Sequence, residues 1–187
     1  MMLRISRLII LLFTLMITGC VTSRDTQSGN KIDQIKLAKI RVELGLGYLA
    51  QNNLPQAKVN FDKALQQAPQ HYLPHLGLAY FYQQSGEVEK AEIEYQQALM
   101  FAPMQGDVLN NYATFLCART KYQSAFQLFE RALEGKGYYR FADTYQNIAL
   151  CAFLAKDRPR AVWAIKQLAT FDPEKAKKTA QLSPFKF

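Results

Sequence analysis

The sequence predicts an all-α, right-handed solenoid of about four helix pairs, closed by a C-terminal capping helix. Two observations carry this: a pattern of small and aromatic residues that recurs at a fixed spacing, and turn residues that fall in the middle of each copy. Pro69 and Pro103 stand thirty-four residues apart, and the residues before them match. The first copy carries Leu44, Gly45, Tyr48, Ala57, Phe61 and Ala64, and the second Leu78, Ala79, Tyr82, Ala91, Tyr95 and Ala98. A third carries Tyr112, Ala113, Leu116, Ala125, Phe129 and Ala132. The fourth, displaced by two extra residues near Tyr138 to Arg140, carries Ile148, Ala149, Ala152, Ala161, Ile165 and Leu168 before Pro173.

This period and pattern are those of the tetratricopeptide repeat. Each part has a mechanical reason. Small residues such as Gly45, Ala57 and Ala64 let two antiparallel helices approach closely, while Tyr48 and Phe61 fill the space towards the next pair. A proline ends the second helix, because the residue before it is pushed out of the α region. Gln51-Asn52-Asn53, Ser85-Gly86 and Lys156-Asp157-Arg158 supply turns between the two helices of their repeats. The repeats are expected at about 38–71, 72–105, 106–139 and 142–175. Asp172 as N-cap and Pro173 at the first helical position open a basic capping helix within 172–187.

The amino terminus reads as an export signal. Arg4 and Arg7 precede an apolar run from Leu8 to Ile17, and Thr18 and Gly19 lead into Cys20. A cleavage site with a cysteine at its mouth is a lipid attachment site, so residues 1–19 form a lipoprotein signal peptide and Cys20 is the acylated first residue. The apolar run is too short for a membrane span, which takes about 20 residues. Val21 follows the cysteine where Asp commonly retains a lipoprotein in the inner membrane, so the expected location is the periplasmic face of the outer membrane. Residues 20–31 are polar and read as a flexible tether to a repeat domain at 32–187.

Composition narrows the chemistry. The formal charge is +8, and loss of Arg4 and Arg7 leaves +6, scattered apart from Lys175, Lys177 and Lys178. An exported chain with so modest a surplus is not expected to bind nucleic acid. Cys117 and Cys151 are compatible with one disulfide in an oxidising compartment. Their helical, apolar contexts favour the other reading, two small buried hydrophobes. His71 and His75 are four apart, but Pro74 intervenes and no companion ligand is near, so the favoured reading has His71 in a turn and His75 at an aromatic position of the repeat. With no phosphate-binding glycine loop and no catalytic triad order, neither an enzyme, a metal, a cofactor nor a small-molecule substrate is expected.

What the repeat offers is a concave groove lined by the first helix of each pair. Positions two, five, nine and twelve of those helices place Lys39, Val42, Leu46 and Leu49, then Leu73, Leu76, Tyr80 and Gln83, along one half. Asp107, Asn110, Thr114 and Cys117, then Asp143, Gln146, Leu150 and Phe153, line the other, with Asn111 and Asn147 beside them. The predicted protein-binding site is therefore an apolar anchor of Val42, Leu46, Leu49, Leu73, Leu76 and Tyr80, continued by the amides Asn110, Asn111, Gln146 and Asn147. Such a groove suits a peptide held by backbone hydrogen bonds along an apolar anchor. The competing reading packs Leu46, Leu49 and Leu76 beneath the tether or the N-terminal segment Ile32 to Leu37.

Cys20-Val21-Thr22-Ser23, the run Leu44-Gly45-Leu46-Gly47-Tyr48-Leu49 with Gln56-Ala57-Lys58, and Leu109-Asn110-Asn111-Tyr112 with Phe115-Leu116 resemble the PilF/PilW type IV pilus biogenesis lipoproteins. The resemblance covers most of the chain after Cys20. It implies an outer-membrane pilotin that escorts secretin subunits to the outer membrane and supports their multimerisation. It also marks a departure, since those proteins carry about six repeats and this sequence reads as four and a cap. The other function compatible with the same residues is a general periplasmic lipoprotein adaptor for a protease or cell-wall enzyme.

Overall fold

The computed structural model describes residues 24–135 and 137–185, with side chains from Lys31 onward. The predicted signal peptide and Cys20 lie outside the described residues. Nine helices are present among the described residues and no strand. They are α1 (Arg24–Ala50), α2 (Leu54–Gln67), α3 (Tyr72–Gln84), α4 (Val88–Phe101), α5 (Gly106–Ala118), α6 (Tyr122–Leu133), α7 (Phe141–Leu154), α8 (Arg158–Phe171) and α9 (Pro173–Gln181). Consecutive helices pair as α1/α2, α3/α4, α5/α6 and α7/α8, and α9 packs on α8 and α7.

The hairpin turns show how one local solution is used four times. Each contains a residue in the left-handed region: Asn52 (φ 55°), Gly86 (φ 79°), Thr120 (φ 59°) and Lys156 (φ 57°). The first three follow at thirty-four-residue intervals and the fourth after thirty-six, which locates the two extra residues between α6 and α7. A left-handed residue satisfies the last carbonyls of the first helix and reverses the chain. The second helix is then opened by a side-chain cap in the first and last pairs: Asn53 accepts from the Gln56 amide at 3.3 Å and Asp157 from that of Arg160 at 3.0 Å. Asp172 does the same for α9, accepting from Lys175 at 2.9 Å with Pro173 just inside.

Alanines at the crossing points allow the pairs to close. Ala57, Ala64, Ala91, Ala98, Ala125, Ala132, Ala149 and Ala161 are fully buried. Large residues then wedge between pairs. A Cβ on Gly45 of α1 would lie 2.7–2.9 Å from the Phe61 ring, and one on Gly77 of α3 would meet the same ring at 2.7 Å. Phe61, itself fully buried, therefore requires glycine on both sides and ties the first pair to the second. Tyr95 and Phe129 occupy the equivalent places in the next two pairs and are likewise buried.

Two expectations are corrected. The first helix begins at Arg24, so residues 24–31, read above as tether, are helical backbone. No proline interrupts that stretch, and extending an existing helix adds a hydrogen bond per residue without a new nucleus. Second, Cys117 and Cys151 are bonded to each other, with Cα atoms 5.8 Å apart, rather than being separate thiols. Both are buried as expected. They stand thirty-four residues apart, two short of equivalent positions across the insertion, yet face each other from α5 and α7, two first helices in contact.

The candidate site: an apolar half-groove on the first helices

On the side of the solenoid formed by first helices lies a cavity of about 410 Å³. Val42, Leu46, Leu73, Leu76, Gly77, Tyr80, Tyr95, Asn111 and Arg140 line it. Six of the ten residues predicted for the site are thus brought together: Val42, Leu46, Leu73, Leu76, Tyr80 and Asn111. Leu46 and Tyr80 are 40% and 41% exposed, whereas Val42 is buried and forms the floor. Leu49 lines an adjoining cavity of about 330 Å³ that Leu46 and Tyr80 also border. Among the described residues the apolar anchor is therefore open, and Ile32 to Leu37 do not cover it.

The amide half is arranged differently from the prediction. Asn110 is buried, and its Oδ1 accepts from Asn147 Nδ2 at 3.1 Å. Gln146 Nε2 donates to Thr179 Oγ1 of α9 at 3.2 Å. Phe153 meets Phe185 edge to face at 6.1 Å, and Cys117 is in the disulfide. The C-terminal segment thus covers the far end of the groove, because α9 turns back across α7 instead of merely extending the stack. Of the four predicted amides, only Asn111 borders the open cavity.

Three residues of the cavity were missed. Gly77 stands thirty-four residues before Asn111, at the same repeat position, and its missing side chain opens the floor. Tyr95 belongs to a second helix and reaches through, its hydroxyl donating to Gln83 Oε1 at 2.8 Å. Arg140 lies in the two-residue insertion, which no repeat alignment assigns to a groove. Its guanidinium bridges Asp107 at 3.2 Å and Asp143 at 3.0 Å, and Asp143 also accepts from Lys175 at 2.8 Å. The hydrogen bond from Lys175, aided by Arg140, holds the Asp143 carboxyl below its ordinary range despite partial burial. Arg140, held by this ionic cluster, therefore borders the apolar floor.

The two histidines have separate structural partners. His71 caps α3, its Nδ1 accepting from the Leu73 amide at 3.3 Å. His75 is buried, with Nδ1 2.7 Å from Glu94 Oε2, Nε2 2.9 Å from the Pro69 carbonyl and its ring stacked on Phe101 at 5.3 Å. Among the described residues no cluster of three or more metal-ligating side chains occurs.

Paired helices in a repeating stack with an open apolar cavity on the first helices define a tetratricopeptide-repeat domain, a class built to hold other polypeptides. The tetratricopeptide repeat family model matches residues 48–110. An uncharacterised protein of Haemophilus influenzae is 42% identical over 167 residues, covering 89% of this chain and 91% of that one, and the chain belongs to its family. The type IV pilus assembly protein PilF of Pseudomonas aeruginosa is 34% identical over 155 residues, 82% of this chain, and the chain spans 61% of PilF's length. The solved structure of P. aeruginosa PilF superposes with a TM-score of 0.73 at 29% identity, covering 80% of this chain and 69% of that one. That of PilW, a widely conserved type IV pilus biogenesis factor, gives 0.70 at 25%, covering 78% and 70%.

Proposed function

We propose that this protein is a lipid-anchored pilotin of type IV pilus biogenesis, acting at the periplasmic face of the outer membrane. In this reading the half-groove grips a segment of a secretin subunit, and the lipid on Cys20 carries the pair to the outer membrane. The observation that carries it is the open apolar cavity between α1 and α3, in a chain similar to PilF and PilW over most of its length. An apolar floor bounded by Asn111 and a fixed Arg140 cluster fits a segment with an apolar anchor and a polar flank. Binding here requires no chemistry from the protein, only burial of the anchor and pairing of the partner's backbone groups. The test is deletion of the gene, followed by assay of heat-resistant secretin multimers and of the membrane in which they fractionate. Loss or inner-membrane retention of the multimers is the expected result. Normal multimers in the outer membrane would reject the reading in favour of an adaptor for another periplasmic protein.

A further inference from the structure

The charge surplus, read above as scattered apart from Lys175, Lys177 and Lys178, is concentrated in the C-terminal part of the chain. Residues 20–135 hold eleven Lys and Arg against eleven Asp and Glu, whereas residues 136–187 hold ten against four. The whole surplus after Cys20 therefore sits in residues 136–187, which lead into the last repeat and contain it and its cap. Lys156, Lys166, Lys177 and Lys178 are exposed there, and among the described residues none of them is in an ion pair.

Large apolar side chains are exposed in the same segment. Trp163, the single tryptophan of the sequence, is 43% exposed on α8, with Val162 beside it, Lys166 one turn on and exposed Phe171 a further turn along. Tyr145 of α7 lies edge-on to Trp163 at 5.6 Å and stacks on Phe171 at 5.8 Å, so the rings form a strip along the helix pair. Leu182 is exposed just beyond Lys177 and Lys178. Trp163 and Phe171 belong to the second helix of their pair, and neither they nor Tyr145 line the cavity proposed above to hold a polypeptide.

We propose that this C-terminal end docks on an anionic phospholipid surface. Indole and phenyl rings settle at the headgroup level, where the ring is sheltered and its edge stays wet. Lysine stems lie along the apolar boundary while their ammonium groups reach the phosphates. Each such cation strengthens adsorption to an anionic bilayer by roughly fivefold. A nearly neutral solenoid with a cationic, aromatic end would therefore be turned with α8 and α9 towards the bilayer, leaving the first-helix cavity free.

The single tryptophan allows a direct test that does not depend on how the N-terminus holds the chain to the vesicle. The full chain is reconstituted with vesicles of phosphatidylcholine alone, or of phosphatidylcholine with phosphatidylglycerol, each carrying brominated acyl chains. Trp163 emission should shift to shorter wavelength and be quenched on the phosphatidylglycerol vesicles, and not on phosphatidylcholine. High salt, or the triple variant Lys166→Glu, Lys177→Glu, Lys178→Glu with its helical circular dichroism retained, should remove both effects. Equal emission on the two vesicle types, or quenching that survives both salt and charge reversal, would overturn the proposal.

Discussion

Cys117 of α5 and Cys151 of α7 are joined by a disulfide, so the third and fourth helix pairs are stapled through their first helices. Closing a loop of this length stabilises the folded chain by roughly 3–4 kcal/mol, mostly by restricting the unfolded ensemble. Reduction should therefore lower the thermal midpoint, by on the order of 10 °C for a chain of this size. Thermal unfolding followed by circular dichroism with and without reductant checks this, and coincident curves would mean that the two sulfurs are not bonded in solution.

A second prediction follows from His75. Its neighbours, the Glu94 carboxylate and the Pro69 carbonyl, accept hydrogen bonds, so the arrangement holds an imidazolium with both nitrogens donating. Burial opposes the charge, but the bonds to Glu94 and Pro69 and the Glu94 charge outweigh it and lift the pKa above the ordinary 6.5. A pKa raised in the folded state contributes stability that is fully present below pH 6.5 and is lost as pH rises through the folded value. His75→Gln should therefore cost most below pH 6.5 and least once the pH has risen through the folded value. Thermal midpoints of both proteins across that range should converge as pH rises, and a constant difference would show that His75 is neutral throughout.

The helix-pair contacts supply a third. Ala57 of α2 has no exposed surface and lies where α1 and α2 approach. Ala57→Leu should force the pair apart and cost roughly 1–3 kcal/mol. A denaturant titration would read this as a lower midpoint with an unchanged slope. No change would place Ala57 away from the contact.

How much of this was legible depends on whether a signal repeats. Gly45, Ala57, Phe61 and their counterparts mark the helix pairs because each copy solves the same packing problem, and Asp172-Pro173 announces α9 by local capping alone. The disulfide was hidden because an apolar helical context describes Cys117 and Cys151 equally well bonded or free, and only the stacking of α5 on α7 distinguishes them. Arg140 was invisible for the opposite reason. It sits in the one place where the repeat is broken, so no register assigned it a direction. Asn110 and Gln146 were misread because position on a helix gives a facing but not an occupant, and α9 and Asn147 already occupy theirs.

Lipidation is tested at Cys20. The Ile17-Thr18-Gly19-Cys20 junction leads us to expect that Cys20→Ala yields an unprocessed precursor outside the outer membrane. Pulse labelling with palmitate and membrane fractionation read both properties. Normal cleavage and normal fractionation of the variant would remove the lipoprotein assignment.

The half-groove gives the prediction that bears most directly on function. Leu46 projects into both neighbouring cavities and is 40% exposed, so Leu46→Glu leaves the helix-pair contacts intact while placing a charge on the rim of an apolar floor. A buried anchor of this kind commonly carries about 2 kcal/mol or more, equivalent to roughly a thirtyfold loss of affinity. Asn111→Ala should weaken binding less, because it removes a hydrogen-bonding group at the edge and not the anchor. The variant should keep its helical circular dichroism and thermal midpoint, since Gly45 and Phe61, not Leu46, hold α1 to α2. Under the pilotin reading Leu46→Glu should remain in the outer membrane yet fail to bring the secretin with it. Unfolding of Leu46→Glu would make the stripe part of the core; a folded variant that supports normal secretin multimers would place the partner elsewhere on the solenoid.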